Sequence, residues 1–494
     1  MDMQNAAKLE IPEGEVRTIH DKNGDLLWGK VGYGVKYKGN TAQNGTPTPS
    51  APVAVQTVTG ENVVKICGKN LFDKSTDTIA YYLDASGNIV SGGTWSVSDY
   101  IAVNPGENYT ISGVGTPGQA PRYCFYNSNK QFVSAATTGN QTVTVPSGAN
   151  YIRLSIYNGT NGQHPNDENT LQLELGSSAS TYEAYKSQSC EVNLGKNLCN
   201  GTSQGYWING VANSAGLSSG NTGLAIPVLP NTDYSVSTKT TQARYRAAFV
   251  DSLPASDSSV TAYNGVARDG QGTSFTRNSA THRYLIVNAT NLSDIQVELG
   301  SQATSYAAYF EPIELCGLGD DGAGSYLYQD YFYPSGGKWY VHKETGKSLV
   351  DGTIGNLSRT GTNRFNIDNI SLGWEKLQGA ILCLADRYST VAQYLTNGNF
   401  DNAVSSMSYA LGLHPEADTI RIKDVNYDNA ANYKTWLGND PINLYYALAT
   451  PTDTEITNQA LIAQLEAVNQ WTTRYGYNAS VTGNLPIIID RTQL

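Results

Sequence analysis

Charge is scarce in this 494-residue chain. Asp, Glu, Lys and Arg make up only 15% of it, and 32 basic residues face 43 acidic ones, a net of −11. A sequence-independent nucleic-acid binder needs a basic face, and so does a protein held to an anionic membrane; neither partner is expected. Long apolar runs are also missing. No segment nears the ~18 uncharged apolar residues of a bilayer-spanning helix. Met1 to Gly14 hold no apolar stretch behind a basic one, so no secretory signal is expected. The Ala/Glu/Lys/Leu bias of a coiled coil is absent, and a 10% aromatic content with 33 tyrosines argues against disorder. The five histidines are far apart and the six cysteines contain no Cys-x-x-Cys. A zinc site or a catalytic triad therefore has no footing, no metal or cofactor is expected, and the cysteines read as buried, reduced thiols.

What the chain does contain is a duplication. Gly68-Lys69-Asn70-Leu71 returns as Gly195-Lys196-Asn197-Leu198. Gln172-Leu173-Glu174-Leu175-Gly176-Ser177 returns as Gln296-Val297-Glu298-Leu299-Gly300-Ser301. Between these ends Pro105 and Tyr109 match Pro230 and Tyr234, Arg122 and Phe125 match Arg246 and Phe249, and Tyr151 to Leu154 face His282 to Leu285. Units of this size are too long for solenoid repeats and read as tandem globular modules. Their segments, such as Asn108 to Ser112 and Tyr151 to Ile156, are β-branched or alternating between Gly, Pro and Asn punctuation, the signature of short strands in a sandwich or jelly roll.

The fold class expected is mainly β: tandem jelly-roll β-sandwiches with a third β-rich C-terminal domain carrying a short helix. Residues 1–40 form an N-terminal hairpin segment, with alternating apolar residues across the Asp21-Lys22-Asn23-Gly24 turn. Residues 41–66, with Thr46-Pro47-Thr48-Pro49, form an extended Pro/Thr/Gly connector. The sandwiches occupy 67–187 and 188–316, closed by strands Leu171 to Leu175 and Ile295 to Leu299, with Tyr182 and Tyr306 packed under the exit loops. The C-terminal domain takes 317–494. One amphipathic helix is expected there over Asn458 to Asn469, with Thr457 as its N-cap and Leu461, Ile462, Leu465 and Val468 on one face.

Several of these motifs occur together, in order. Asn44-Gly45-Thr46-Pro47, Gly68-Lys69-Asn70-Leu71-Phe72-Asp73, Gln172-Leu173-Glu174-Leu175-Gly176, Lys338-Trp339-Tyr340-Val341-His342 and Tyr445-Tyr446-Ala447-Leu448-Ala449-Thr450-Pro451 resemble segments of tail and baseplate proteins of phages that infect Gram-positive bacteria. The second module departs from that pattern, with Cys199-Asn200 where the first keeps Phe72-Asp73. The resemblance implies a non-catalytic structural virion protein, assembled in the host cytoplasm, with carbohydrate-binding-module-like sandwiches facing the host. It also implies attachment to other tail or baseplate proteins, here assigned to the N-terminal segment, and a homotrimer.

A sugar site wants an aromatic ring for the apolar face of a pyranose and planar polar groups for its hydroxyls. The first module offers Trp95, Tyr100, Arg122, Tyr123, Arg153 and Tyr157; the second offers Tyr206, Trp207, Arg246, Arg283 and Tyr284. The candidate carbohydrate-binding residues are Trp95, Arg122, Tyr123 and Arg153, with Trp207, Arg246 and Arg283 as their counterparts. The competing reading makes the arginines salt-bridged sheet residues and the tryptophans half core. A glycosidase would need two carboxylates facing one cleft; Glu174 and Glu298 lie in closing strands and read as sheet carboxylates. A polysaccharide depolymerase and a purely structural spacer are the alternatives. Gly317-Leu318-Gly319-Asp320-Asp321-Gly322 matches a dinucleotide fingerprint in form only, because two acids would meet the pyrophosphate; a solvated linker is expected there.

Overall fold

The computed structural model describes residues 19–20, 26–28, 33–113, 122–137, 141–157, 170–209, 222–229, 232–239, 245–250, 252–253, 259–261, 275–277, 282–320, 326–377, 379–393, 397–414, 418–475, 478–483, 485 and 487–493. The fold is mainly β. It divides into two compact units, one centred on residues 63–190, the other on 191–463 together with 33–62 and 482–494.

The first unit is a two-layer sandwich. A three-stranded sheet runs Gln141–Thr144, Asn108–Ser112, Gln172–Leu175. The larger sheet runs Phe132–Thr137, Arg122–Tyr126, Tyr151–Tyr157, Ile89–Val97, Thr78–Leu83, and Ile101–Ala102 joins it on Tyr151–Tyr157. Alternation along each strand decides what is buried. Ile152, Leu154 and Ile156, with Tyr123 and Phe125, point inward against Tyr109, Ile111 and Leu173 of the smaller sheet. Full burial of such a side chain contributes roughly 1.5–3 kcal/mol. The other face of the large sheet is partly covered as well. Leu83, Val97, Cys124 and Tyr126 form a second small core, and the Leu83 amide donates to Ser155 Oγ at 2.6 Å.

The second unit contains the duplicate. Phe275–Arg277, Tyr234–Thr238 and Ile295–Leu299 form one sheet; Thr222–Pro227, Tyr284–Ala289 and Tyr245–Val250 form the other. Tyr234 pairs with Leu299 as Tyr109 pairs with Leu175, and both phenols accept a backbone N–H from five residues upstream, Leu229 and Asn104 respectively. The expected register therefore holds for these strands. It shifts at Tyr284: Tyr151 pairs with Tyr126 and Tyr284 with Val250, so Tyr284, not His282, is the counterpart of Tyr151. Arg153 then corresponds to Ile286 instead of an arginine.

The C-terminal domain is a further two-sheet packing. Six strands run Cys383–Ala385, Ile442–Glu455, Lys338–Val350, Tyr331–Ser335, Tyr33–Lys38, Ile488–Gln493, and five run Asn356–Gly361, Arg364–Asp368, Thr419–Asp424, Tyr409–His414, Ser389–Thr390. Phe365, Ile367, Leu411 and Ile420 of the smaller sheet bury against Val350, Cys383, Ile442 and Leu444 of the larger. Among the described residues there are α-helices at Asn397–Ala403, Ala430–Asn439 and Gln459–Tyr475. Leu461, Leu465 and Val468 of the last are buried as the periodicity predicts, but Asn458 takes the capping role instead of Thr457, accepting the Leu461 amide at 3.0 Å.

Three boundaries differ from the sequence reading. The hairpin Ile19–His20 with Leu26–Trp28 is present, yet Tyr33–Lys38 is an interior strand of the C-terminal six-stranded sheet. The 41–66 stretch is docked, not free. Thr41–Ala42 pairs with Gln56–Thr57, Val55 and Val58 are buried, and Gln43 Nε2 donates to the Ala385 carbonyl at 2.9 Å. Gly39 permits that return, since a Cβ there would lie 2.6 Å from Cys316 N. Finally, Gly317–Asp320 is a strand paired with Tyr326–Gln329 instead of a solvated linker, and Asp321 lies outside the described residues. Tyr182 is exposed, contrary to the packing expected of it, whereas Tyr306 is half-buried and donates to the Ser293 carbonyl at 2.6 Å.

Candidate functional site

The repeated motifs, the most conspicuous sequence signal, build a polar clasp in each sandwich. Asn70 Nδ2 donates to the carbonyls of Leu171 and Glu183, while its Oδ1 accepts the amides of Phe72 and Leu173. Asn197 repeats this with Ile295 and Ala307 as acceptors, Cys199 and Val297 as donors. Both amides saturate their four hydrogen bonds, which is what burial demands of them. Gln172 and Gln296 carry the same logic to the carboxylates. Glu174 accepts from Gln172 Nε2, Ser180 N and Ser180 Oγ; Glu298 accepts from Gln296 Nε2, Thr304 N and Thr304 Oγ1. These hydrogen bonds hold the Glu174 carboxyl below its ordinary value although burial pushes it up. In the second clasp the Thr304 hydroxyl lies between two carboxylates, 2.7 Å from Glu298 Oε2 and 3.5 Å from Glu61 Oε2.

The lysines of the two clasps diverge. Lys69 is solvent-facing and donates to Ser180 Oγ and the Thr181 carbonyl. Lys196 is buried, ion-paired with Glu61 and bonded to Thr304 Oγ1 at 2.9 Å. A small cleft beside it is lined by Glu61, Lys196, Glu298 and Thr304, all engaged with one another.

The accessible aromatic candidate lies on the large sheet of the first sandwich. Trp95 is directly opposite Tyr157, and the two half-buried rings meet edge-to-face with centroids 5.2 Å apart. Gly92 makes room for this cluster: a Cβ there would meet Tyr82 Cδ1 at 2.6 Å and Trp95 Cδ1 at 3.7 Å. Tyr82 was not among the sequence candidates, and the Gly92-Gly93 pair upstream of Trp95 was the signal for it. Arg122 starts the strand Arg122–Tyr126 on the same sheet and is half-buried; among the described residues it makes no hydrogen bond or ion pair. Its charge acts on Asp84, whose carboxyl is held below its ordinary value chiefly by hydrogen bonds from Asn88.

The remaining candidates are occupied elsewhere. Tyr123 faces the core and receives a hydrogen bond from Gln141 Nε2 at 3.1 Å. Arg153 is 5% exposed, donates from Nε to the Ser98 carbonyl at 2.9 Å and lies 4.5 Å over the Tyr100 ring. Arg246 is 3% exposed and donates to the Ile208 carbonyl, so the strand Trp207–Asn209 covers it. Trp207 lies on that strand, which pairs in parallel with Ser259–Thr261, so Trp207 is not the topological partner of Trp95. Arg283 forms an ion pair with Asp440 of the C-terminal domain, and Arg387 Nη2 lies 3.3 Å from the same Asp440 Oδ1. Trp339 and Trp374 are buried core residues; Trp436 is half-buried and stacked on Tyr433.

All six cysteines are free, and burial pushes the Cys124 and Cys199 thiols up to about 11 and those of Cys316 and Cys383 up to about 12. Among the described residues no helix is long and apolar enough to cross a membrane, and no cluster of His, Cys, Asp and Glu could hold a metal ion. Comparisons with family models, with curated proteins and with solved structures found no match to this chain.

Proposed function

We propose that this chain is a non-catalytic tail or baseplate protein of a phage that infects Gram-positive bacteria, and that its first sandwich binds host-surface carbohydrate. In this reading it is assembled in the host cytoplasm, released in the virion, and attached to other tail proteins through its N-terminal segment. The motif resemblance supports the virion assignment, and a jelly-roll lineage of the sandwiches is part of it. One observation carries the binding assignment: the half-exposed Trp95–Tyr157 pair and Arg122, whose side chain makes no hydrogen bond or ion pair among the described residues, share one sheet of the first sandwich. A ring edge-to-face with its neighbour keeps surface for the apolar face of a pyranose, and a half-buried planar guanidinium can donate to hydroxyls.

The second sandwich fits a spacer role. Its arginine is covered by Trp207–Asn209, Arg153 is replaced by Ile286, and Arg283 is committed to Asp440. Stacking plus a few hydrogen bonds gives single-site affinities near millimolar, about −4 kcal/mol; many copies in a tail would raise avidity by about 10² to 10⁴. The test is retention of the full chain on purified host cell walls, before and after removal of wall polysaccharide. Trp95→Ala and Arg122→Ala should each lose retention while Trp207→Ala keeps it. Equal retention of all three variants, or retention on stripped walls, would refute the assignment; shortening of the polysaccharide would favour a depolymerase.

A further inference from the structure

The outer face of the large sheet in the first sandwich is not flat. Between the pairs Ile79–Ser96 and Tyr81–Ser91 one strand has only Ala80, while the other has Gly92, Gly93, Thr94 and Trp95. Such a bulge bends a ribbon sharply and re-aims its side chains. Ala80 takes a φ of 68°, a left-handed conformation that alanine seldom adopts. Beyond the bend the hairpin folds back over the sheet. Thr78–Leu83 is the edge strand, separated from Arg122–Tyr126 by Ile89–Val97 and Tyr151–Tyr157. Yet the Leu83 amide donates to Ser155 Oγ at 2.6 Å, Tyr126 Oη donates to the Gly87 carbonyl at 2.7 Å, and Cys124 Sγ lies 3.8 Å from the Asp84 carbonyl oxygen. Contacts that skip strands in this way require the hairpin to lie on the face of the sheet.

The bend turns the proposed glycan site into a corner with two walls. Trp95 sits in the bulge itself and meets Tyr157 on the sheet. Tyr82 stands on the folded-back hairpin and packs against the bare Gly92. Arg122 has the outward parity of Cys124 and Tyr126, on the strand next to that of Tyr157. Charge at this corner is offset. Asp84, where the hairpin turns, lies beside Cys124, two residues along from Arg122, and its carboxylate accepts the amides of Ser86 and Asn88 at 2.8 Å. The other cations of this face, Arg153 and Lys130, both lie over the Tyr100 ring, at the Tyr151 end of the strand Tyr151–Tyr157. The whole module, residues 67–187, holds six Lys and Arg against nine Asp and Glu, a net of −3. A polyanionic ligand needs a field of uncommitted cations, and here one guanidinium stands near a carboxylate. Stacking of a pyranose between Trp95 and Tyr82 needs no such field.

We infer that this corner, with Tyr82 of the folded-back hairpin as its second wall, takes uncharged pyranose units and not a phosphate-bearing wall polymer. The inference rests on the reading of Trp95, Tyr157 and Arg122 as a carbohydrate site. The test is retention of the full chain on two immobilised probes, the phosphate-free polysaccharide fraction and the teichoic-acid fraction of the host cell wall. The chain is held by the first, almost equally at about 0.05 and 0.5 M salt, and not by the second. Tyr82→Ala and Trp95→Ala each weaken retention roughly fivefold or more. Gly92→Ala keeps every ring but crowds Tyr82, and weakens retention too. Asp84→Asn, which removes the charge beside Arg122, leaves the neutral fraction bound and raises retention on the teichoic acid. Retention on teichoic acid that Trp95→Ala abolishes overturns the inference and leaves the carbohydrate site standing. Retention on the neutral fraction that Trp95→Ala weakens but Tyr82→Ala and Gly92→Ala do not removes the hairpin from the site and also overturns it. Retention on neither fraction, or retention indifferent to Trp95→Ala, overturns the carbohydrate reading itself, and the inference falls with it.

Discussion

Asn197→Ala should unfold the second sandwich's clasp, and its cost follows from counting what the side chain satisfies. The amide is 2% exposed and makes four hydrogen bonds: two donated to the Ile295 and Ala307 carbonyls, two accepted from the Cys199 and Val297 amides. Truncation removes all four and leaves two carbonyls and two N–H groups without these partners. At about 0.5–1.5 kcal/mol net for each bond the loss is roughly 2–6 kcal/mol, a large share of the roughly 5–15 kcal/mol that stabilises a typical domain. For a sandwich of this size, about 3 kcal/mol lowers the unfolding midpoint by on the order of 10 °C. A chain of several domains does not unfold in one step, so the measurement is calorimetry with hydrogen exchange resolved by segment. Protection should fall at Val297 and Cys199 and persist in strand Asn108–Ser112. Asn70→Ala should give the mirror result, weakening the first sandwich alone. A midpoint change under 2 °C with unaltered exchange at Val297 would refute the idea that the repeated Gly-Lys-Asn-Leu motif exists to close the sandwich.

Three further outcomes are expected. Alkylation at neutral pH without denaturant should label half-buried Cys67 ahead of Cys316 and Cys383, whose thiols burial raises to about 12; rapid labelling of Cys383 would contradict its burial. Asp424, fully buried against Tyr388, has its carboxyl raised by burial. Between the unfolded value of 3.8 and its raised folded value the folded state holds the extra proton, so stability is lost as pH rises through that folded value. The stability of Asp424→Asn relative to the parent should therefore grow from pH 4 toward neutrality, and a difference flat with pH would count against this. Arg283→Ala should cost about 1 kcal/mol, because the pair with Asp440 is only partly buried; it should leave wall retention intact, and lost retention would return Arg283 to the site.

Much of this protein was legible one strand at a time. β-branched alternation places Ile152, Leu154 and Ile156 on one face without any knowledge of the partner sheet, and the two copies of Gln-x-Glu-Leu-Gly-Ser announce two closing strands. Duplication was readable because a buried amide with four fixed partners tolerates little change, so Asn70 and Asn197 keep their surroundings. What sequence could not supply was non-local. An arginine reads the same whether it is half-open, as Arg122 is, covered by a strand, as Arg246 is, or paired with a distant acid, as Arg283 is with Asp440. Aligning Leu154 with Leu285, and so Tyr151 with His282, also slid the register by two, because period-two patterning alone does not say which strand residue faces which. The 41–66 stretch looked like a spacer because proline and threonine are extended wherever they sit; only the folded chain brings Val55 and Val58 to a buried surface. Local pattern determined the strands, their inward faces and the repeat; tertiary packing decided which polar side chains remained free to meet anything else.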